Sequence, residues 1–329
     1  MRKRNFCSLD RNNLPTSELP WVLLVRSSEF YTLGLYLERA LQRIVNVATV
    51  YVETAGPWGW IFRKTPTRIV EYLARKYLGI VTVHPPQPSL ILVVDPVRKK
   101  FDFSKFDAPT AFYAIDSHVA FREHVKDAHV QDYDYVFVAQ KDDIPKYREA
   151  GCEKVYWLPF ACDPEIHKRW DLPLRYDICF VGKLTPGTER EQLVRKIEKS
   201  FGRVYVGNRF LHDMARIYSQ SKIVLNKSLA GDLNMRVFET LSCGRFLLTD
   251  RIANGLEELF RDKIHLVTYD DFDDLVDKAR YYLDNERERE KIALQGLKEV
   301  HKKHTYLHRA EYLLRITVES GFSQHFSRG

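Results

Sequence analysis

The chain has 329 residues, 45% of them hydrophobic and 13% aromatic, which is ample apolar side chain for one large or two ordinary buried cores. The formal net charge of +7 points to acidic partners, yet no recognition-helix or zinc-finger pattern accompanies it, so specific nucleic-acid binding is not expected. No apolar run is long enough to span a membrane and the start lacks the apolar core of a secretion signal. The five cysteines are scattered without Cys-x-x-Cys or zinc spacing, so a cytoplasmic protein with reduced thiols is expected.

In chain order, a strand-length apolar run at 21–27 precedes a helical spacing of Leu33, Leu37, Leu41 and Ile44, and 47–53 reads as the next strand. The stretch 65–79 is a punctuated helix, with Thr65 as cap, Pro66 at the first position and Gly79 at the end. Further strands follow at 89–95, 109–116, 133–140 and 154–160, with a helix across 142–150 stopped by Gly151. Past a charged link at 163–175, a second series alternates strands at 176–182, 203–207, 222–226, 246–250 and 264–269 with helices, the last of which fill 271–315. Alternation of this kind predicts parallel sheets covered on both faces: two doubly wound domains, at 1–168 and 169–308, and a C-terminal helix or tail at 309–329 that returns to the first.

Several stretches carry candidate chemistry. In "GDLNMRVFETLSCG" (231–244), Asn234 or Asp232 can cap a helix, Gly244 can end it, and Arg236, Glu239 and Ser242 recur at a spacing of three. One reading is an exposed Arg–Glu pair worth roughly a few tenths of a kcal/mol. The other is a wall of a nucleotide site, with Arg236 in the first turn meeting a diphosphate and Glu239 accepting from the hydroxyls of a ribose. In "VGKLTPGTEREQL" (181–193), Thr188 and Glu191 fit a capping box, and the loop is not a P-loop. "AIDSH" (114–118) sets Asp116, Ser117 and His118 just past a strand end; Asp116 or His118 can orient or deprotonate an acceptor hydroxyl, or Ser117 simply caps the next helix. "NGLEEL" (254–259) starts a helix at Gly255 and Leu256, where backbone amides can face an anion. "NEREREKIA" (285–293) reads as a solvated helix face. Paired aspartates at 142–143 and 271–274 open helices, which explains them without a metal, and no metal is expected. The loop "GPWGWIFRKTPTR" (56–68) sets Trp58, Trp60 and Phe62 beside Arg63 and Lys64, either as a peripheral contact with an anionic membrane or as an ordinary loop folded onto the core.

The segments "LNMRVFETLSCGRFLLTD", "AIDSH", "YDYVFVAQKDDIPKYREAG", "YWLPFACDPEIH" and "YDICFVGKLTPGTER", in this order, resemble the CgeB-like (spore maturation) glycosyltransferases, which look like distant relatives of the retaining family 4 and family 1 types. That resemblance implies a GT-B architecture, two Rossmann-like doubly wound domains facing across a cleft. It implies transfer of a sugar from a nucleoside diphosphate sugar, by default a UDP-sugar, to a glycan, lipid-linked or protein acceptor, without cofactor or metal. It assigns Glu239 to the donor ribose, Lys183, Arg190 and Arg236 to the diphosphate, and Asp232 and Asn234 to the donor sugar. Gly231 stands where the wider group has a glutamate eight residues before the ribose-binding one. Two rivals remain open: a nucleotide-sugar epimerase on the same architecture, and a non-catalytic nucleotide-sugar or polyanion-binding protein.

Overall fold

The computed structural model describes residues 20–29, 33–52 and 87–319. The punctuated helix at 65–79 and the tryptophan-bearing loop at 56–68 lie outside the described residues. The chain forms two compact units, one containing residues up to Leu158 together with the stretch from Arg309, the other running from Pro159 to His308.

The first unit holds strands β1 (Trp21–Ser27), β2 (Asn46–Val52), β3 (Leu90–Val94), β4 (Thr110–Ala114), β5 (Tyr135–Val138) and β6 (Val155–Trp157) in the order β2-β1-β3-β4-β5-β6. Every pairing is parallel. Helices α1 (Leu33–Leu41), α2 (Ser117–Lys126) and α3 (Ile144–Glu149) connect them. The runs LILVV and YVFV are buried at every position, as expected where helices cover both faces of a sheet.

The second unit holds β7 (Tyr176–Val181), β8 (Val204–Gly207), β9 (Ser221–Asn226), β10 (Phe246–Asp250) and β11 (Val267–Tyr269), ordered β11-β10-β9-β7-β8 and again parallel throughout. Its helices are α4 (Glu189–Ser200), α5 (Leu211–Ser219), α6 (Met235–Ser242), α7 (Leu256–Leu259), α8 (Phe272–Asp284) and α9 (Glu286–Lys303); α10 (Tyr306–Leu314) leads back to the first unit. The period-two geometry of a strand divides the core. Ile178 and Phe180 join Ile223, Leu225, Phe246 and Leu248 on one face, while Cys179 and Val181 join Val224, Tyr218 and Cys243 on the other.

In both units one strand is flanked by neighbours reached in opposite directions: β1 lies between β2 and β3, and β7 between β8 and β9. Helices leave the two carboxyl ends at such a point on opposite faces, and the crevice between them is where doubly wound sheets bind ligands.

Several local expectations change. Asn234 is the N-cap of α6 but its side chain makes no capping bond, and Asp232 instead accepts from the Leu229 amide, so neither caps as expected. Ser117 is the first residue of α2 rather than its cap; the cap position is Asp116, also without a side-chain bond. The strand expected over 264–269 is shorter, beginning at Val267. Within 285–293, Arg289 is 1% exposed and Ile292 and Ala293 are buried, so this is no purely solvated face: α9 lies against α6 and β10. Thr188 does cap α4, accepting from the Glu191 amide.

Candidate functional site

The stretch 231–244 lies at the switch point of the second sheet. Arg236, in the first turn of α6, donates from Nε to Val181 O at 2.9 Å and from one terminal nitrogen to Asn226 Oδ1 at 2.5 Å. These acceptors belong to the last residues of β7 and β9, so one guanidinium bridges the two strand ends on either side of the crevice. It also lies 4.4 Å over the Phe180 ring. Gly182 is needed for this approach, because a Cβ there would collide with a terminal nitrogen of Arg236. Asn226 is held in turn by its own Nδ2, which donates to Thr249 Oγ1 at 2.9 Å, and by Tyr269, whose hydroxyl donates to Asn226 O at 2.9 Å.

The exposed-pair reading of Arg236 and Glu239 is therefore wrong. Arg236 spends Nε and one terminal nitrogen on the sheet, and Glu239 is buried, only 7% exposed, with Oε1 3.7 Å from His167 Nε2. Ser242 completes the same face: its hydroxyl donates to His167 O at 2.5 Å and lies 2.9 Å from His301 Nε2. Burial pushes the Glu239 carboxyl up to about 7, with the Arg236 charge opposing that rise. Burial likewise pushes His167 down to about 3, so the imidazole beside Glu239 is neutral.

A second cation converges on the first. Arg190, in the first turn of α4, is depressed by burial and then by the charge of Arg236, so the two guanidiniums share one field. Its nearest carboxylate is Asp232, 4.0 Å away, and its Nε is buried without a hydrogen-bond partner among the described residues. Two cations held together with donors to spare make a site for an anion of more than one charge. Asn234 adds an amide whose Oδ1 and Nδ2 are both buried without partners among the described residues. Lys183 is exposed in the loop after Gly182, and Gly231 is exposed with φ +78° and open space around its Cβ position. Gly255 takes φ +81° ahead of α7, which has only four residues.

One residue unread in the sequence organises the rim. Asp250, the last residue of β10, accepts from Ser228 N at 2.9 Å, Ser228 Oγ at 2.5 Å and Lys227 Nζ at 3.2 Å, fixing the loop that follows β9. Its signal was an acid at the carboxyl end of an apolar strand.

In the first unit Asp116 is joined to a group of the same kind. Asp95, immediately after β3 and fully buried, accepts from Asp116 N at 3.1 Å and from Arg98 Nε at 2.8 Å, and lies 3.3 Å from His124 Nε2. His124 Nδ1 lies 2.5 Å from the Tyr147 hydroxyl, and a terminal nitrogen of Arg98 lies 3.5 Å from Asp116 Oδ2. Burial raises the Asp116 carboxyl, and the Asp95 charge raises it further. Asp95 itself falls below the usual range because His124 and Arg98 outweigh its burial. His118 has a buried Nδ1 with no partner among the described residues.

Among the described residues no group of three or more His, Cys, Asp or Glu is placed to hold a metal ion, and no helix is long and apolar enough to cross a membrane.

Residues 182–315 match the family described as Glycosyl transferase-like, a match covering less than half of the chain. Among solved structures the chain is similar to Alr3699/HepE of Anabaena, solved with UDP and glucose, at a TM-score of 0.60 and 12% identity over 91% of this chain and 99% of that one. It is similar to sucrose-phosphate synthase of Thermosynechococcus elongatus, with a TM-score of 0.58 and 13% identity over 94% and 100%. It is also similar to the lipopolysaccharide outer core galactosyltransferase WaaB, with a TM-score of 0.56 and 9% identity over 90% and 99%. No curated protein matches. The fold is that of GT-B glycosyltransferases, two Rossmann-like parallel-sheet units, and the class is glycosyltransferase.

Proposed function

We propose that this protein transfers a sugar from a nucleoside diphosphate sugar, with UDP as the default nucleotide, to a glycan, lipid-linked or protein acceptor. The observation that carries this reading is Arg236, tied to the ends of β7 and β9 at the switch point, beside Arg190 and one turn before the buried Glu239. Arg236 and Arg190, with Lys183 from the exposed loop, neutralise the diphosphate. Negative charge grows on the departing phosphate oxygen as its bond to the sugar breaks, and fixed cations stabilise that charge without reorganising. The same cations replace a metal, so none is required.

Glu239 accepts from the ribose hydroxyls and gains in the exchange, since its carboxylate is costly to bury unpartnered. Asp232 and Asn234 face the sugar, and the amides at Gly255 and Leu256 border the phosphates. On the acceptor side, Asp116 takes the proton of the attacking hydroxyl, with His118 beside it. A carboxyl raised by burial and by Asp95 is a stronger base than a solvated one. The CgeB-like subfamily and a cytoplasmic location belong to this proposal; the membrane-contact idea rests on Trp58, Trp60, Phe62, Arg63 and Lys64, outside the described residues.

The test is a thermal-shift series with UDP, GDP, ADP, TDP and CMP and their sugars, without added metal. A ligand bound only by the folded chain raises the midpoint by an amount set by its concentration over its dissociation constant. One nucleotide should stabilise the wild type and not Glu239→Ala, and its sugar should then be consumed only with an acceptor. Consumption without acceptor points to the epimerase; binding without turnover points to the non-catalytic protein, which the exposed Gly231 in place of a glutamate would suit. No shift at millimolar concentration with any of them sinks the proposal.

A further inference from the structure

A basic cluster at the other end of the second sheet is not used by the donor site. Arg245 immediately precedes β10, whereas Arg236 holds the final residues of β7 and β9; the strands being parallel, the two arginines mark opposite ends. Arg289 reaches the same place from the first turn of α9. The two residues are 2% and 1% exposed. Part of each guanidinium serves helix ends: Arg245 donates to Ser219 O, the last residue of α5, and Arg289 donates to Tyr282 O at 2.6 Å and Leu283 O at 3.2 Å near the end of α8.

The remaining donors have no such purpose. Nε and one terminal nitrogen of Arg245, and Nε of Arg289, are buried without a hydrogen-bond partner among the described residues. Glu290 is the carboxylate that faces them, 3.9 Å from Arg245, 4.0 Å from Arg289 Nε and 3.6 Å from a third guanidinium, that of Arg169. Each of these distances is beyond a hydrogen bond. Glu286 lies 3.7 Å from Arg289, but its side chain is 73% exposed. Three cations therefore surround one displaceable carboxylate. A water could satisfy a donor but not the surplus charge. The side chains of Arg169 and Glu290 are 53% and 36% exposed, so the cluster opens to solvent on their side.

We propose that Arg169, Arg245 and Arg289 form a second anion site, separate from the donor site, that takes a phosphate dianion, free or as the head of a phosphomonoester, with Glu290 yielding its place on binding. Guanidinium forks match phosphate oxygens in pairs, and three of them carry the charge that a dianion neutralises.

The test reads unfolding midpoints of the full chain against inorganic phosphate, and in a second arm against glycerol phosphate, with chloride holding ionic strength constant. Arg236→Met disables the donor diphosphate contact and should keep the phosphate-dependent rise. Arg169→Met, at an exposed position, should lose it. Glu290→Gln removes the competing charge and should lower the half-saturating phosphate concentration by about fivefold. A lower half-saturating concentration for glycerol phosphate identifies the ligand as a phosphomonoester; an equal or higher one identifies free phosphate. Loss of the response in Arg236→Met, an unchanged response in Arg169→Met, no response to either anion, or an unchanged or weakened response in Glu290→Gln would each overturn the proposal.

Discussion

Glu239 holds its proton to about pH 7 in the folded chain, against an ordinary value of 4.5. Between those values the unfolded chain has released a proton that the folded chain keeps, so stability falls as pH rises from about 4.5 to 7. Glu239→Gln should remove that part of the slope and stabilise the protein at pH 8 by up to roughly 3 kcal/mol. Urea midpoints at pH 5 and pH 8 test this, and an unaltered difference between the two would show that burial does not govern the group. At pH 8, where Glu239 is charged, affinity for the nucleotide should move the other way, weakening about tenfold or more in Glu239→Gln, because a hydrogen bond to a charged group is exchanged for one to a neutral amide. Arg236→Lys keeps the charge but cannot reach Val181 O and Asn226 Oδ1 together; a loss of about tenfold in nucleotide affinity is expected by titration calorimetry.

The strand-to-helix loop after β7 sets how closely α6 can approach the sheet. Gly182→Ala should expel the Arg236 guanidinium and cost nucleotide affinity while the fold survives. Gly202→Ala, with open space around its Cβ position, serves as the control and should bind normally. Equal affinity in the two variants would mean that the bridge is dispensable. At this scale the strands were legible, since apolar runs of strand length are read directly and Thr188 announced the start of α4. The orientation of α6 was not. Its polar residues at a spacing of three look solvent-facing in isolation, and only β7, β9 and the His167 segment close over them. Arg289 was misread for the same reason: charges in alternation look solvated until a neighbouring helix end supplies carbonyls for a buried guanidinium.

For the molecule as a whole, the return of the chain after His308 matters. Ala310, Leu313 and Val318 are buried and belong to the first unit, although they follow the second in sequence. Truncation after His308 should therefore destabilise the first unit, by roughly 4 kcal/mol on the apolar side chains alone, and leave the nucleotide-dependent stabilisation of the second. Differential scanning calorimetry with and without nucleotide reads both; an unchanged profile would show that the returning segment contributes nothing to the first unit.

The sequence by itself determined the alternation of strands and helices, the parallel sheets that follow from it, the placing of Arg236 and Glu239 a turn apart on one helix, and that of Asp116 just past a strand end. These depend on local periodicity and on capping and turn residues, which act over a few positions. Only the tertiary structure decided that Arg236 bridges β7 to β9, that Asp95 gathers Arg98, His124 and the Asp116 amide, and that Arg169, Arg245 and Arg289 meet around Glu290. Such groupings bring together side chains distant along the chain, and what they do rests on burial, which raises the cost of every unpaired charge and which no single segment contains.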